Sequence, residues 1–166
     1  RTAKSINPEI ITIAGGAHPT VLPEFAMKDS NLDFVVLGEG EETIRELVEA
    51  IENDPAKIPS IDGIGYRQDD VVHINPKTRF IEDLDILPSP AWHLMNMDHY
   101  FGLDVCHGKR SCQRFFSIIT SRGCPARCVF CTAFNVWGRR YRARSARKVV
   151  DEIKFLVNHY HIEELL

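Results

Sequence analysis

Three cysteines fall close together in the run Cys124-Pro-Ala-Arg-Cys128-Val-Phe-Cys131, a C-x3-C-x2-C spacing. Spacers this short let one loop fold around a single metal centre. Three thiolates fill three positions and leave a fourth open. Structural zinc wants four ligands, all cysteine or cysteine completed by histidine. No His lies between Gly108 and Asn158, so a local fourth ligand is missing. Ordinary iron–sulfur clusters also take four cysteines. Three without a fourth point to a cluster with one iron left free for a substrate. Zinc completed by a distant ligand, or chance clustering, are the alternatives. Cys106 and Cys112 flank a basic loop and could form a ligand pair with His107; otherwise they are free thiols. His159 and His161 end a helix and are expected in solvent.

Two further motifs can approach a ligand with their backbone. Gly15-Gly16-Ala-His18-Pro-Thr20 and Gly38-Glu39-Gly40-Glu41-Glu42-Thr43 each follow a short apolar run. Glycines at such turns permit positive φ and close approach. A ligand at the carboxyl edge of an open α/β sheet is the expected geometry. A tight strand-to-helix turn with no ligand is the plain alternative for either motif.

The elements that must carry these motifs follow from hydrophobic patterning. Ile10–Ala14 and Phe34–Leu37 read as buried strands. Thr20 can cap a helix with Pro23 in its first turn, running to about Asp29. Glu41 to Glu52 places Ile44, Leu47, Val48 and Ile51 on one helical stripe, with Glu41 and Glu42 at its positive end. Strand–helix–strand–helix order argues an α/β fold with a partial, doubly wound parallel sheet. Ile64–Arg67 and Val71–Ile74 flank Gln68-Asp69-Asp70 and predict a hairpin. Residues 76–114 carry several prolines and little periodicity, so they read as a linker. Phe115–Thr120 is a strand, Ser121 to about Tyr141 a loop, and Ser145 caps a helix with Val149, Ile153 and Leu156 inward. Ile162–Leu166 begins another strand. The segments are thus 1–75, 76–114 and 115–166, the last a β–loop–α–β unit.

Composition sets the outer limits. The chain has 166 residues, 44% hydrophobic and 26% charged, which is ordinary for a globular protein. No window approaches the roughly 18 apolar residues of a membrane helix. The net charge of −3 hides a split. Residues 1–100 hold 8 Lys+Arg against 18 Asp+Glu; residues 101–166 hold 12 against 5. The basic half fits a nucleic-acid patch or a positive wall around an anionic site, and the arginines from Arg139 to Arg147 could also form a solvated face. Five cysteines, an odd number, cannot form a fully paired disulfide framework. Clustered free thiols suit a reducing, cytoplasmic setting. The chain opens at Arg1 and closes on Leu165–Leu166, and we expect a piece of a longer protein.

Thr120-Ser-Arg-Gly-Cys124-Pro-Ala-Arg-Cys128-Val-Phe-Cys131 resembles the start of a radical S-adenosylmethionine (radical SAM) enzyme. The run Gly138-Arg-Arg-Tyr-Arg-Ala-Arg144-Ser145 is similar to that family's entry into its first barrel helix. The resemblance implies that Cys124, Cys128 and Cys131 hold a 4Fe–4S cluster after the first strand of a partial (β/α) barrel. S-adenosylmethionine would then bind the open iron, with Phe130 beside its adenine. A plain core aromatic is the other reading of Phe130. The paired glycine motifs and Phe80-Ile-Glu-Asp83-Leu-Asp85-Ile-Leu-Pro88-Ser-Pro90-Ala-Trp92 resemble the back half and exit of the cobalamin-binding domain that precedes such barrels. That likeness implies Gly15, Gly16, His18, Gly38, Glu39 and Gly40 as contacts to the cobalamin tail. The Asp-x-His-x-x-Gly motif that offers the lower cobalt ligand in many relatives is absent. Its place would be before Arg1, so His18 is not that ligand by position.

What the resemblance implies is an enzyme of the radical SAM class. One-electron reduction of S-adenosylmethionine would yield a 5′-deoxyadenosyl radical for C–H activation. Cobalamin would serve methyl transfer or oxidative cyclisation, as in the anaerobic magnesium-protoporphyrin monomethyl ester cyclases. Its partners would be a small-molecule substrate and an external one-electron reductant, without nucleic acid. A methylthiotransferase acting on RNA or protein, or a non-enzymatic zinc or electron-transfer module, are the competing readings. The isolated segment is expected to self-associate through open sheet edges and apolar faces such as Phe115–Ile119 and Ile162–Leu166.

Overall fold

A computed structural model describes residues 2–101 and 112–165. The expectations on Cys106 and His107 lie outside the described residues. In chain order come α1 (Thr2–Ile6), β1 (Ile13–Ala14), α2 (Ala17–Val21), α3 (Pro23–Ala26), β2 (Phe34–Val36) and α4 (Glu41–Asn53). Then follow β3 (Ile64–Gln68), β4 (Val71–Asn75), α5 (Met97–Phe101), β5 (Phe115–Phe116), β6 (Ser121–Arg122), α6 (Ala133–Trp137), β7 (Arg142–Ala143), α7 (Ala146–Tyr160) and β8 (Glu164–Leu165). Two compact units result. One joins Arg1–Ile81 with Gly123–Tyr141, the other Glu82–Arg122 with Arg142–Leu166. These units cut across the segments read from sequence, because the cysteine loop groups with the first unit.

In the first unit β1 and β2 pair in parallel, Ile13 opposite Phe34 and Ala14 opposite Val35. The hairpin β3–β4 adds antiparallel to β2, giving the order β1-β2-β3-β4. The sheet is therefore mixed, parallel only at β1–β2. Its hairpin turns on Asp69 and Asp70, at φ 49° and 61°, the left-handed pair that a two-residue turn of this twist requires. Neighbouring residues of β2 feed two cores, as strand alternation demands. Val36 joins Leu47, Ala50, Ile61, Ile64 and Tyr66 on the α4 side. Val35 joins Met27 and Leu37, with Ala26 of α3 packed against them. Helices thus cover both faces, the doubly wound α/β layering expected.

Several local readings shift for physical reasons. β1 is shorter than Ile10–Ala14 because Thr12 turns to Asp33: its N–H donates to Oδ2 at 2.7 Å and its hydroxyl does so at 2.9 Å. Ile10 and Ile11 are left exposed. The helix expected to start at Thr20 starts instead after Gly16 and breaks at Leu22, whose φ of −130° is set by the proline that follows. In α4 the buried stripe runs through Thr43, Leu47 and Ala50 with Ile44 and Ile51 beside it, while Val48 faces solvent.

The second unit is a β-α-β motif, β5 and β8 parallel with α7 between them. The expected strand Phe115–Thr120 pairs only at Phe115–Phe116. Ser145 caps α7 by accepting the Lys148 N–H at 3.3 Å, and its own N–H donates to Asp85 Oδ1 at 2.9 Å. The helix ends at His161, left-handed at φ 54°. Leu156 and Ile162 pack with Trp92, Met97 and Phe101, so the segment read as a linker supplies core. Val149 and Ile153 are half-buried; Glu152 is the other buried residue of α7 and pairs with Arg144. Phe115 and Ile162, expected on open apolar faces, are buried, while Ile119 is exposed.

Where the hairpin leaves β4, Asp62 gathers the chain. It accepts from the Thr78 hydroxyl, the Thr78 N–H at 2.9 Å and the Arg79 N–H at 3.1 Å, and Lys77 Nζ lies 3.6 Å away. Burial alone raises the Asp62 pKa, but these hydrogen bonds and the Lys77 charge outweigh it and hold the carboxyl below its usual range. A depressed folded-state pKa stabilises above the unfolded value of about 3.9, and the contribution is lost as pH falls below it. Asp62→Asn is accordingly expected to cost about 1 kcal/mol at pH 7. Urea unfolding at a series of pH values should show that gap closing through the acid range, while a constant gap would exclude the carboxylate as its source.

Candidate functional site

The parallel pair β1–β2 delivers both glycine motifs to one sheet edge, because each follows the carboxyl end of its strand. A single hydroxyl joins them. Thr20 Oγ1 donates to the Gly16 carbonyl at 2.6 Å and accepts the Gly38 N–H at 2.9 Å. Sequence reasoning assigned Thr20 to a helix cap; its placement one turn into α2 makes it a bridge instead.

The cysteine loop closes on itself. The Cys124 N–H donates to the Gly138 carbonyl at 3.2 Å. A Cβ at Gly123, φ 83°, would stand 1.9 Å from the Arg140 carbonyl oxygen, so no other residue fits this close approach. The Cys131 N–H donates to the Cys128 carbonyl at 3.2 Å, and Cys131 Sγ accepts the Ala133 N–H at 3.5 Å. Arg139 stacks on Phe134 at 4.1 Å and donates to the Ala126 carbonyl.

Within this unit the two motifs meet. Gly16, Ala17 and Gly38 line a cavity of about 490 Å3 together with Phe130, Cys131, Thr132, Ala133, Val136 and Trp137. Gly38, at φ 63°, has the Val136 carbonyl only 3.2 Å from where a Cβ would stand. Beside it a concavity of about 530 Å3 is rimmed by Arg127, Cys128, Val129, Cys131, Thr132, Phe134 and Arg139. Phe130 is 87% exposed and so is not a core aromatic.

The expected contacts divide. Gly16, Gly38, Phe130 and Cys131 share one cavity, and Cys128 borders the next. Gly15, His18, Glu39 and Gly40 are not among the lining residues. His18 is exposed with its ring against Phe25, and Gly40 starts α4 by accepting the Ile44 N–H at 2.7 Å. Glu39 is 1% exposed and accepts the Ile81 N–H at 2.8 Å. It serves the interior, which an acidic residue between two glycines did not signal. Ala17, Val136 and Trp137 were missed; they follow from packing alone.

Three cysteine thiols are the donor chemistry that an iron–sulfur cluster takes. Cys124, Cys128 and Cys131 are free thiols, two half-buried and one exposed. Among the described residues no three His, Cys, Asp or Glu side chains are drawn together as a single ion requires. Cys131 borders both hollows and Cys128 one of them, while Cys124 is not among the lining residues of either. Small residues on the cavity wall, with open space around Gly16, suit a ligand that approaches the backbone. Among the described residues no helix is long and apolar enough to cross a membrane.

Comparison with known proteins agrees with this geometry. The B12 binding domain family matches residues 1–48. The chain is 35% identical over 166 residues to the uncharacterized methyltransferase PH0819 of Pyrococcus horikoshii, covering 99% of this chain and 34% of that protein. It is 35% identical over 164 residues to the anaerobic magnesium-protoporphyrin IX monomethyl ester cyclase of Rubrivivax gelatinosus, covering 96% and 28%. The structure of the cobalamin-dependent S-adenosylmethionine radical enzyme OxsB, with aqua-cobalamin and S-adenosylmethionine bound, superposes with a TM-score of 0.72 at 21% identity. It covers 98% of this chain and 21% of that one. The chain resembles cobalamin-dependent radical SAM enzymes over nearly its whole length. It spans about a third of the length of the curated relatives it matches. At 21% identity the likeness to OxsB is one of fold.

The Thr20 bridge can be tested directly. Thr20→Val keeps the shape but orphans the Gly38 N–H and the Gly16 carbonyl. A cost of about 1–3 kcal/mol is expected in denaturant unfolding, with faster hydrogen exchange at the Gly38 amide. An unchanged Gly38 exchange rate would show that the hydroxyl holds nothing.

Proposed function

We propose that this chain supplies the cofactor-facing part of a cobalamin-dependent radical SAM enzyme that carries out methyl transfer or oxidative cyclisation on a small-molecule substrate. The observation that carries the reading is the shared cavity: one hollow is lined at once by both glycine motifs and by Phe130 and Cys131 of the cysteine loop. Competing readings lack that support. A methylthiotransferase or a zinc module needs the cysteine loop but gives no reason for two glycine edges to face it.

Cys124, Cys128 and Cys131 would hold a 4Fe–4S cluster, three thiolates leaving one iron position for S-adenosylmethionine. When bound, the cluster supplies one-electron reduction and cobalamin a methyl carrier or redox partner; the protein binds, orients and shields them. The residues of this chain do the latter work. Phe130 offers a flat apolar face at the cavity edge for the adenine. Ala133, Val136 and Trp137 form a wall that keeps water from the reacting groups. Gly16 and Gly38 let the cobalamin tail reach the backbone. Arg127 and Arg139 place positive charge on the rim that borders Cys128 and Cys131. The electron would come from an external one-electron reductant in the cytoplasm.

Anaerobic reconstitution of the full-length protein, with each cysteine changed to Ala in turn, tests the assignment. Unaltered protein should bind about four irons and give a reduced-cluster electron spin resonance signal. Cys124→Ala, Cys128→Ala and Cys131→Ala should each lose most of both, whereas Cys112→Ala and Cys106→Ala should keep them. Equal loss in Cys112→Ala or Cys106→Ala would refute the three-ligand site.

A further inference from the structure

Between the hairpin and the second unit, Lys77 and Ile81 touch the second glycine turn and Phe80 touches the cysteine loop, none of them lining the cavity. At the start, Lys77 runs under the second glycine turn: its Cγ lies 3.0 Å from where a Gly38 Cβ would stand. Its Nζ is fixed beyond that point, 2.8 Å from Thr43 Oγ1 and 3.6 Å from Asp62. At the end, the Ile81 N–H donates to Glu39 Oε2 at 2.8 Å. Glu39 is buried, and a buried carboxylate is costly unless it is hydrogen-bonded. Between these anchors the Phe80 ring lies 3.4–3.5 Å from where a Gly138 Cβ would stand. Gly138 is the residue whose carbonyl closes the cysteine loop on Cys124. One short segment is therefore bonded to the second glycine turn and packed on the closure of the cysteine loop.

We propose that Lys77–Ile81 is a strap that sets the position of the cysteine loop against the Gly38–Gly40 turn, with Glu39 and Phe80 as its positioning residues. Its purpose rests on the cofactor reading above; its mechanics do not. Lys77 and Glu39 bind the strap to the glycine turn, and Phe80 passes the constraint to Gly138. A change on the glycine side is then felt in a loop that Glu39 does not line a cavity with.

Hydrogen exchange read by mass spectrometry on the full-length protein, with no cofactor added, tests the strap separately from the cofactors. Glu39→Ala should speed exchange at least threefold in peptides covering 36–43 and also in those covering 123–141. Peptides of the β3–β4 hairpin should keep their rates. Glu39→Gln should restore both regions, because the amide oxygen still accepts the Ile81 N–H. Phe80→Leu, a milder change, should loosen 123–141 while leaving the hairpin unmoved, and it decides the matter if Glu39→Ala fails to fold. Faster exchange confined to 36–43 and 77–81, or an even rise across the chain in Phe80→Leu, overturns the proposal. Absence of bound iron or cobalamin would instead overturn the cofactor reading and leave the exchange result standing.

Discussion

Everything at the candidate site depends on the parallel register of β1 and β2. Pairing Ile13 with Phe34 and Ala14 with Val35 brings the carboxyl ends of both strands to one edge, so the two glycine turns emerge on the same side. Two turns at one edge leave backbone groups that no ladder bond can satisfy. Thr20 answers for one from each turn with a single hydroxyl. Slip the register by one residue and the side chains of β2 exchange faces. Val35 and Val36 would then enter the wrong cores, and Thr20 would no longer face the Gly38 amide. Register, core and site are one constraint.

Electrostatics play a smaller part than the charge split suggests. Pairs such as Arg45–Glu49 and Arg147–Asp151 are solvent-exposed, at 3.7 and 3.9 Å, and contribute little. The buried charges act differently. Glu152 pairs with Arg144, and Arg144 also donates to the Ile119 carbonyl. A buried pair is weak evidence for stability in itself; here it fixes the entry to α7. Asp85 has the same effect from outside, holding the Ser145 N–H; hydrogen bonds from the Ser145 side chain and then from its N–H keep the Asp85 pKa below the usual range. Charge in this chain mostly positions, while apolar burial around Leu47, Met27 and Leu156 supplies the stability.

What could be read from sequence was what repeats locally. α4, α7 and the hairpin announce themselves by period and by turn residues. The glycine turns announce themselves because each follows an apolar run. The lesson of Thr20, Glu39 and Phe80 is that their roles depend on partners 18, 42 and 58 residues away. Thr20 carries the residue type of a cap, yet a proline two residues beyond its neighbour Val21 shortens the helix and frees the hydroxyl. Glu39 lies in a polar motif and reads as a ligand contact, yet it is buried. Val48 fits a helical stripe, yet the sheet is approached by Thr43, Leu47 and Ala50. Local pattern gives the element; only the fold says which face it turns.

The cysteine loop shows how a flexible type of sequence becomes a defined site. Binding a metal group to a loose loop would carry the full entropy of ordering it. Here the backbone of the loop is already held. Gly123 lies against Arg140, Cys124 is bonded to Gly138, and Arg139 holds the Ala126 carbonyl while stacked on Phe134. None of these contacts uses a sulfur atom. Of the thiols, Cys131 Sγ accepts the Ala133 N–H at 3.5 Å, and with Phe130 it borders the cavity that the glycine turns share. The shape of the loop is thus set by backbone and arginine contacts, and the glycine turns beside it are placed by the pairing of β1 with β2.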